Sequence, residues 1–377
     1  MRFWIVFLSL FSGLYLVNHI FFNIFFRIMR FSLIFLFLFF RVSNILLFFF
    51  LFESTLLPIL FIIIGWGNNI ERLRSGLYLF FYTIFSSIPM IVCIFFLIKL
   101  NKSLIFCFVE NVFNLRFIYL LLILSFLVKI PIFLVHSWLA KAHVEAPVSG
   151  SIILAGILLK MGGYGIFRFN FIYKYFLNLN SFWIYISIWG GVLRSLICLR
   201  QVDLKSLIAF SSVSHISLVI MGVLIFNNLG VCGCLILIFA HGLCSSGLFF
   251  LANVVYERSG TRRIFLNKGL LSVYPSLSLW WFILCSFNIA APPSLNLIRE
   301  IFLFGRIVSW RFCSVFFLMI LSFLGGVYNL FLFTFCNHGK VHSNLFFFNS
   351  CSIHEFLVLY LHLLCLLLFF MKLEIFY

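Results

Sequence analysis

Acidic residues are scarce in this chain of 377 residues. It carries 9 Asp and Glu, and charged residues of both signs make up only 9% of the whole. Soluble domains carry about 25%, so a water-soluble globular class is excluded. Cysteine is present as 11 residues, but no two form a CxxC pair. The nearest neighbours, Cys232 and Cys234, sit inside an apolar stretch. Zinc and iron–sulfur sites need clustered thiolates at ligand spacing, so no metal site is expected and the cysteines read as small apolar residues. A dinucleotide fingerprint is missing too: Gly163 and Gly165 begin a GxG, but the third glycine position holds Arg168. No small-residue cleavage site follows the first apolar stretch, so no cleavable signal peptide is expected.

What is there is apolar. Hydrophobic residues make up 64% of the chain, 57 of them phenylalanine, and mean hydropathy is +1.22. These values predict an all-α polytopic membrane protein, one membrane domain over 1–377. A span needs about 20 apolar residues. Candidates run at 3–19, 20–41, 43–65, 76–99, 117–138, 149–171, 182–199, 206–226, 230–255, 270–305, 312–335 and 355–373, about twelve transmembrane helices. Asn18-His19 and Arg27 to Arg30 interrupt the first two. Connections are short; 337–354 is the longest polar one near the C-terminus. The formal charge of +17 would point to nucleic acid in a soluble protein. Here lysine and arginine at span ends hold loops on one side of the membrane, so lipid, not nucleic acid, is the expected neighbour.

The chain is organised around Ser125 to Arg168. Two apolar spans here each carry a lysine, Lys129 and Lys160, flanking a polar stretch from His136 to Pro147 that includes His143. A lysine at membrane depth costs roughly 2.5–3.5 kcal/mol on insertion scales. Pro131, two residues after Lys129, predicts a helix break beside that charge. A broken helix at depth exposes backbone dipoles to an ion path. A second break is expected at Pro292 and Pro293, with Glu300 a few residues on.

Most acids fall in connections or near span ends: Glu71, Glu110, Glu145, Asp203, Glu257, Glu355 and Glu374. Glu53 lies mid-span, and Lys129 is its natural partner. Burial and a nearby opposite charge act on a carboxylate's proton affinity in opposite directions, so a small movement can change it. The expected buried set is Glu53, Lys129, Lys160, His241 and Glu300. Lys205 joins it or stays at the surface, after Asp203. Each member also has a plain structural reading: an ion pair for Glu53 and Lys129, an interhelical hydrogen bond for His241, snorkelling for Lys160, a backbone cap for Glu300. His215 reads as structural or functional alike. Together, lysines, histidine and acids on several helices fit a proton path better than a substrate pocket.

Five segments carry a resemblance: FESTLLPILFIIIGWGNNIERL, LVKIPIFLVHSWLAKAHVEAPVSGSIILAGILLKMGGYGIFR, LRQVDLKSLIAFSSVSHISLVI, AHGLCSSGLFFLANVVYERSG and AAPPSLNLIREI. In this order, within about 45–340, they resemble the subunit 4 family of mitochondrial proton-pumping NADH–ubiquinone oxidoreductase (respiratory complex I). Its superfamily includes the large subunits of multisubunit cation/proton antiporters. The resemblance implies antiporter-like inverted repeats, approximately 43–199 and 200–335, each with one broken helix, followed by a C-terminal connection and helix at 336–377. It matches the family's acid–lysine pair to Glu53 and Lys129, its central lysine to Lys160, its relay histidine to His241 and its terminal acid to Glu300. The histidines near the first break match His136 and His143. NADH, FMN, iron–sulfur clusters and ubiquinone belong to other subunits in this family.

Against the family pattern, 1–42 is short by about two helices, which are either lost or supplied by another chain. Arg299 stands where relatives usually have glycine; it either acts on Glu300 or points away, since i and i+1 do not share a helix face. The expectation is a proton-translocating membrane-arm subunit in the mitochondrial inner membrane, beside other antiporter-like subunits. The competing readings are a separate cation/proton antiporter and a non-pumping scaffold.

Overall fold

A backbone at membrane depth has no water to bond, so it must satisfy its own N–H and C=O groups, which helices do. The computed structural model describes residues 21–67, 69–106, 116–341 and 350–376, and every element named among them is helical. The expected span at 3–19 and Glu110 lie outside the described residues. Eight helical segments among those described are long and apolar enough to cross a membrane. The chain divides into two compact units, Val17–Ile184 and one formed mainly by Tyr185–Tyr377.

The first unit holds α1 (Phe21–Arg41), α2 (Ile45–Ser54), α3 (Leu56–Trp66), α4 (Arg72–Asn101), α5 (Arg116–Lys129), α6 (Ser137–Glu145), α7 (Val148–Ile153), a π-helical turn (Leu154–Leu158), α8 (Leu159–Arg168), α9 (Asn170–Tyr173) and the start of α10 (Leu177–Cys198). The expected span 43–65 is interrupted at Thr55. Pro58 accounts for this, because its ring excludes the carbonyl four residues back, on Ser54. The expected span 117–138 also stops early. The residue before a proline is pushed out of the α region, so α5 ends at Lys129, ahead of Ile130-Pro131. Most of the predicted polar stretch after it is itself helix, as α6.

The core of this unit is aromatic. Phe48 lies 4.7 Å from Phe39 and 5.6 Å from Phe106 between ring centroids. Phe126 lies 5.5 Å from Phe52 and 5.4 Å from Phe169. A bridge between Asn44 and Ile105 ties the start of α2 to the segment after α4.

The second unit holds α11 (Leu204–Leu224), α12 (Asn228–Ser259), α13 (Leu270–Val273), α14 (Pro275–Asn288), α15 (Leu295–Trp310), α16 (Ser314–Asn337) and α17 (Ile353–Met371), then a short 3₁₀ turn (Leu373–Phe376). Every residue of α11 except Phe210 is buried, as expected of a helix apolar all round. The expected span 270–305 is α14 and α15 separated by a break, plus the short α13. A bridge between Asp203 and Arg263 joins the start of α11 to the loop after α12.

Candidate functional site

Each unit gathers its own charged cluster at a helix break. In the first unit, α5 ends on Lys129, which is 1% exposed. Its ammonium lies 3.2 Å from a Glu53 carboxylate oxygen. It donates to the Phe52 carbonyl at 2.5 Å and stands 3.0 Å from the Phe52 ring centroid. That carbonyl also accepts from the Thr55 hydroxyl at 3.0 Å, so the α2–α3 kink and the lysine meet on one group. Glu53 is not fully enclosed as expected: its side chain is 24% exposed. It sits on the outer side of the pair.

The break after Lys129 keeps its backbone satisfied from within the protein. The Trp138 indole donates to the Val128 carbonyl at 3.1 Å, and Ile130 donates to Phe126 at 2.7 Å. Pro131 is buried. α8 packs close against this region because it presents glycine: a Cβ at Gly162 would overlap the Ile130 side chain, and one at Gly165 the Phe126 ring.

Lys160 follows the π-helical turn and is 7% exposed. A π turn leaves carbonyls outside the regular ladder, and the Lys160 ammonium donates to one of its own turn, Ala155. His136 is buried and stacks on Phe133 at 5.7 Å. His143 is fully buried on α6. Glu145, read from sequence as a connection residue, is also buried, and accepts from the Asn69 amide at 3.2 Å. Nothing local in the sequence marks that contact, which spans 76 positions.

The second unit breaks at Pro292 and Pro293, both exposed. Ala290 there has φ 73°, a left-handed backbone that no helix continues through. The Asn296 amide donates back across the break to the Phe287 carbonyl at 2.6 Å. Asn288 bonds Asn329 at 2.9 Å. Lys205 is 1% exposed, so its surface alternative fails. His241 is 1% exposed, and its ring lies 5.0 Å from that of His215.

Glu300 is less enclosed than expected, with 23% of its side chain exposed. Arg299, its chain neighbour, is wholly buried and lies 3.5 Å from the Glu300 carboxylate. Of the two alternatives open for Arg299, the one in which it points away from Glu300 does not hold. Arg299 also reaches the Asn296 carbonyl at 3.2 Å and His215 Nδ1 at 3.2 Å. His215 Nε2 lies 2.9 Å from the Tyr328 hydroxyl. Sequence reasoning named Arg299 and His215 separately but did not join them, and it missed Tyr328. The signal for this chain of groups was present in Arg299, an arginine within a candidate span.

Among the described residues, no group of three or more His, Cys, Asp and Glu is placed to hold a metal ion.

The family model described as NADH:quinone oxidoreductase/Mrp antiporter, TM, matches residues 42–355. A relative named NADH-ubiquinone oxidoreductase chain 4 from Aedes aegypti is 53% identical over 324 residues, 85% of this chain and 72% of its own. The chain belongs to this NADH-ubiquinone oxidoreductase chain 4 family. Its member from Ceratitis capitata is 49% identical over 355 residues, covering 94% of this chain and 80% of the relative. The fold matches a chain of respiratory complex I from Thermus thermophilus with a TM-score of 0.83 at 22% identity, covering 97% of this chain and 78% of that one. It also matches a chain of an Mrp complex from a Dietzia species, with a TM-score of 0.73 at 18% identity, covering 79% and 57%.

Proposed function

We propose that this chain is a proton-translocating core membrane subunit of NADH:ubiquinone oxidoreductase. One observation supports the reading above the others: a fully buried ammonium, Lys129, ends a broken helix 3.2 Å from Glu53. Burial costs a charged lysine, and a neighbouring carboxylate offsets that cost. The proton on Lys129 is therefore held only while Glu53 stays close. Movement of Glu53 toward the lysine loads it, and movement away releases the proton. Lys160, His241 and Glu300 extend the path, with His136, His143 and Lys205 as further relay groups.

The chain itself carries no redox step. NADH, FMN, iron–sulfur clusters and ubiquinone sit on other subunits, and quinone reduction there drives the change in electrostatics that moves Glu53. The chain works as a multi-pass protein of the mitochondrial inner membrane. Its neighbours are lipid and other membrane-arm subunits, including antiporter-like ones.

The test is Lys129→Met in the assembled complex, with assembly checked by native gel in the same preparation. The expected result is intact assembly with strongly reduced NADH–quinone turnover and proton pumping. Normal pumping by an intact Lys129→Met complex would remove Lys129 from the path.

A further inference from the structure

The buried arginine beside Glu300 has a chemical consequence for the histidine next to it. A guanidinium has only donors. Because Arg299 Nη2 points at His215 Nδ1 at 3.2 Å, that nitrogen must accept. His215 is then the neutral imidazole with its proton on Nε2, donated to the Tyr328 hydroxyl at 2.9 Å. A doubly protonated His215 would set an N–H against the guanidinium, so the arrangement excludes it. On the other side, Arg299 and Glu300 are 3.5 Å apart, looser than the roughly 2.7–2.9 Å of a closed charge-assisted bond. The guanidinium therefore rests nearer the histidine and the Asn296 carbonyl than the carboxylate.

We infer that Arg299 is a positioning residue that gates proton transfer at Glu300 by exchanging between His215 and the carboxylate. In the state seen here Arg299 rests on His215 and stands off Glu300, which leaves the carboxyl group free to hold a proton. A proton arriving on His215 places a second N–H at Nδ1 and displaces the guanidinium toward Glu300, where it favours the ionised carboxylate and drives that proton onward. The imidazolium then gives its proton to the vacated carboxylate as Arg299 returns to His215. One proton enters at His215 and one leaves from Glu300 in each exchange, no electrons move, and the buried cation always keeps a partner. The groups facing Arg299 are Glu300 on its own helix, His215 on α11, Tyr328 on α16, and Cys244 on α12, whose Sγ is 3.5 Å from the Asn296 amide. His241, also on α12, reaches it only through His215.

The inference rests on Glu300 being a proton-carrying acid, and the test separates the two claims. Pumping and turnover are measured in assembled complexes carrying Arg299→Met, Arg299→Lys or Glu300→Gln. Methionine keeps the bulk and removes the charge, whereas lysine keeps the charge but loses the planar fork that serves two partners. The expected coupled rates fall by about tenfold or more for Arg299→Met, below the roughly 10²–10⁴-fold of losing a proton-transfer group itself, and several-fold for Arg299→Lys. A packing role would leave the two variants alike. If Arg299→Met fails to assemble, Arg299→Lys still decides: a normal rate overturns the gate. A normal rate in an assembled Arg299→Met complex overturns it too. A normal rate for Glu300→Gln would instead overturn the role of Glu300 on which the gate depends.

Discussion

Leaving one carbonyl unpaired at membrane depth costs about 1–3 kcal/mol, and each helix break here frees at least one. Single side chains resolve this. Trp138 covers Val128 and Asn296 covers Phe287, each reaching back across the break. The indole N–H of Trp138 is therefore worth more than its share of a packed ring. Trp138→Phe keeps most of the ring and deletes the donor. It is expected to destabilise the assembled subunit by about 1–3 kcal/mol, seen as a lower melting temperature of the isolated complex on native gels. An unchanged melting temperature would show that the Val128 carbonyl finds another donor. Little of this was legible in sequence. The prolines announced where the backbone would be interrupted, but the residues that repair it lie 10 and 9 positions away, on the next helix, with no periodic pattern to mark them.

Helices were the legible level. Runs of about 20 apolar residues locate spans because hydrocarbon admits little else, and most boundaries differ from the expected ones by a few residues. The exceptions have local causes. Pro58 interrupts the span that holds Glu53, a signal available in the sequence and passed over because the run around it is so apolar. The π-helical turn before Lys160 has no residue signature at all. Close packing of α5 on α8 depends on glycine, and competing effects decide the outcome of a substitution there. Replacing glycine by alanine inside a helix gains roughly 0.5–1 kcal/mol, whereas overpacking costs about 1–3 kcal/mol. At Gly165, where a Cβ overlaps the Phe126 ring, overpacking wins, so Gly165→Ala is expected to lower the assembled fraction of the complex. Gly65, with nothing within 4 Å of an added Cβ, is the control, and Gly65→Ala is expected to assemble normally. Equal assembly of the two variants would contradict the close approach.

At the scale of the whole molecule, the rarity of acids narrows the candidates for a proton path to a few residues. With 9 Asp and Glu in 377 residues, an acid inside a span is conspicuous, which singles out Glu53, while the paired prolines single out Glu300. Their surroundings were not readable, because the contact between His215 and Arg299 spans 84 positions and depends on how three helices pack. Each unit has a broken helix with a buried cation and a partly exposed acid beside it. If protons pass both clusters in series, either block stops the path. Lys129→Met and Glu300→Gln are then each expected to give nearly the full loss of pumping, and the double variant little more, a strong departure from additivity. Additive losses would mean two independent paths.

The π-helical turn at Leu154–Leu158 sets a direction. A π turn is what a helix becomes when it absorbs one extra residue without lengthening its hydrogen-bonded frame. Each residue advances a helix by about 100°, so the surplus residue fixes the rotation of everything after it, Lys160 included. Deleting any one of those five residues would return the span to a regular helix, healthier by every backbone criterion, and would turn the lysine toward a different neighbour. The irregular ladder thus aims a charge, and a span made regular would keep the helix and lose the aim.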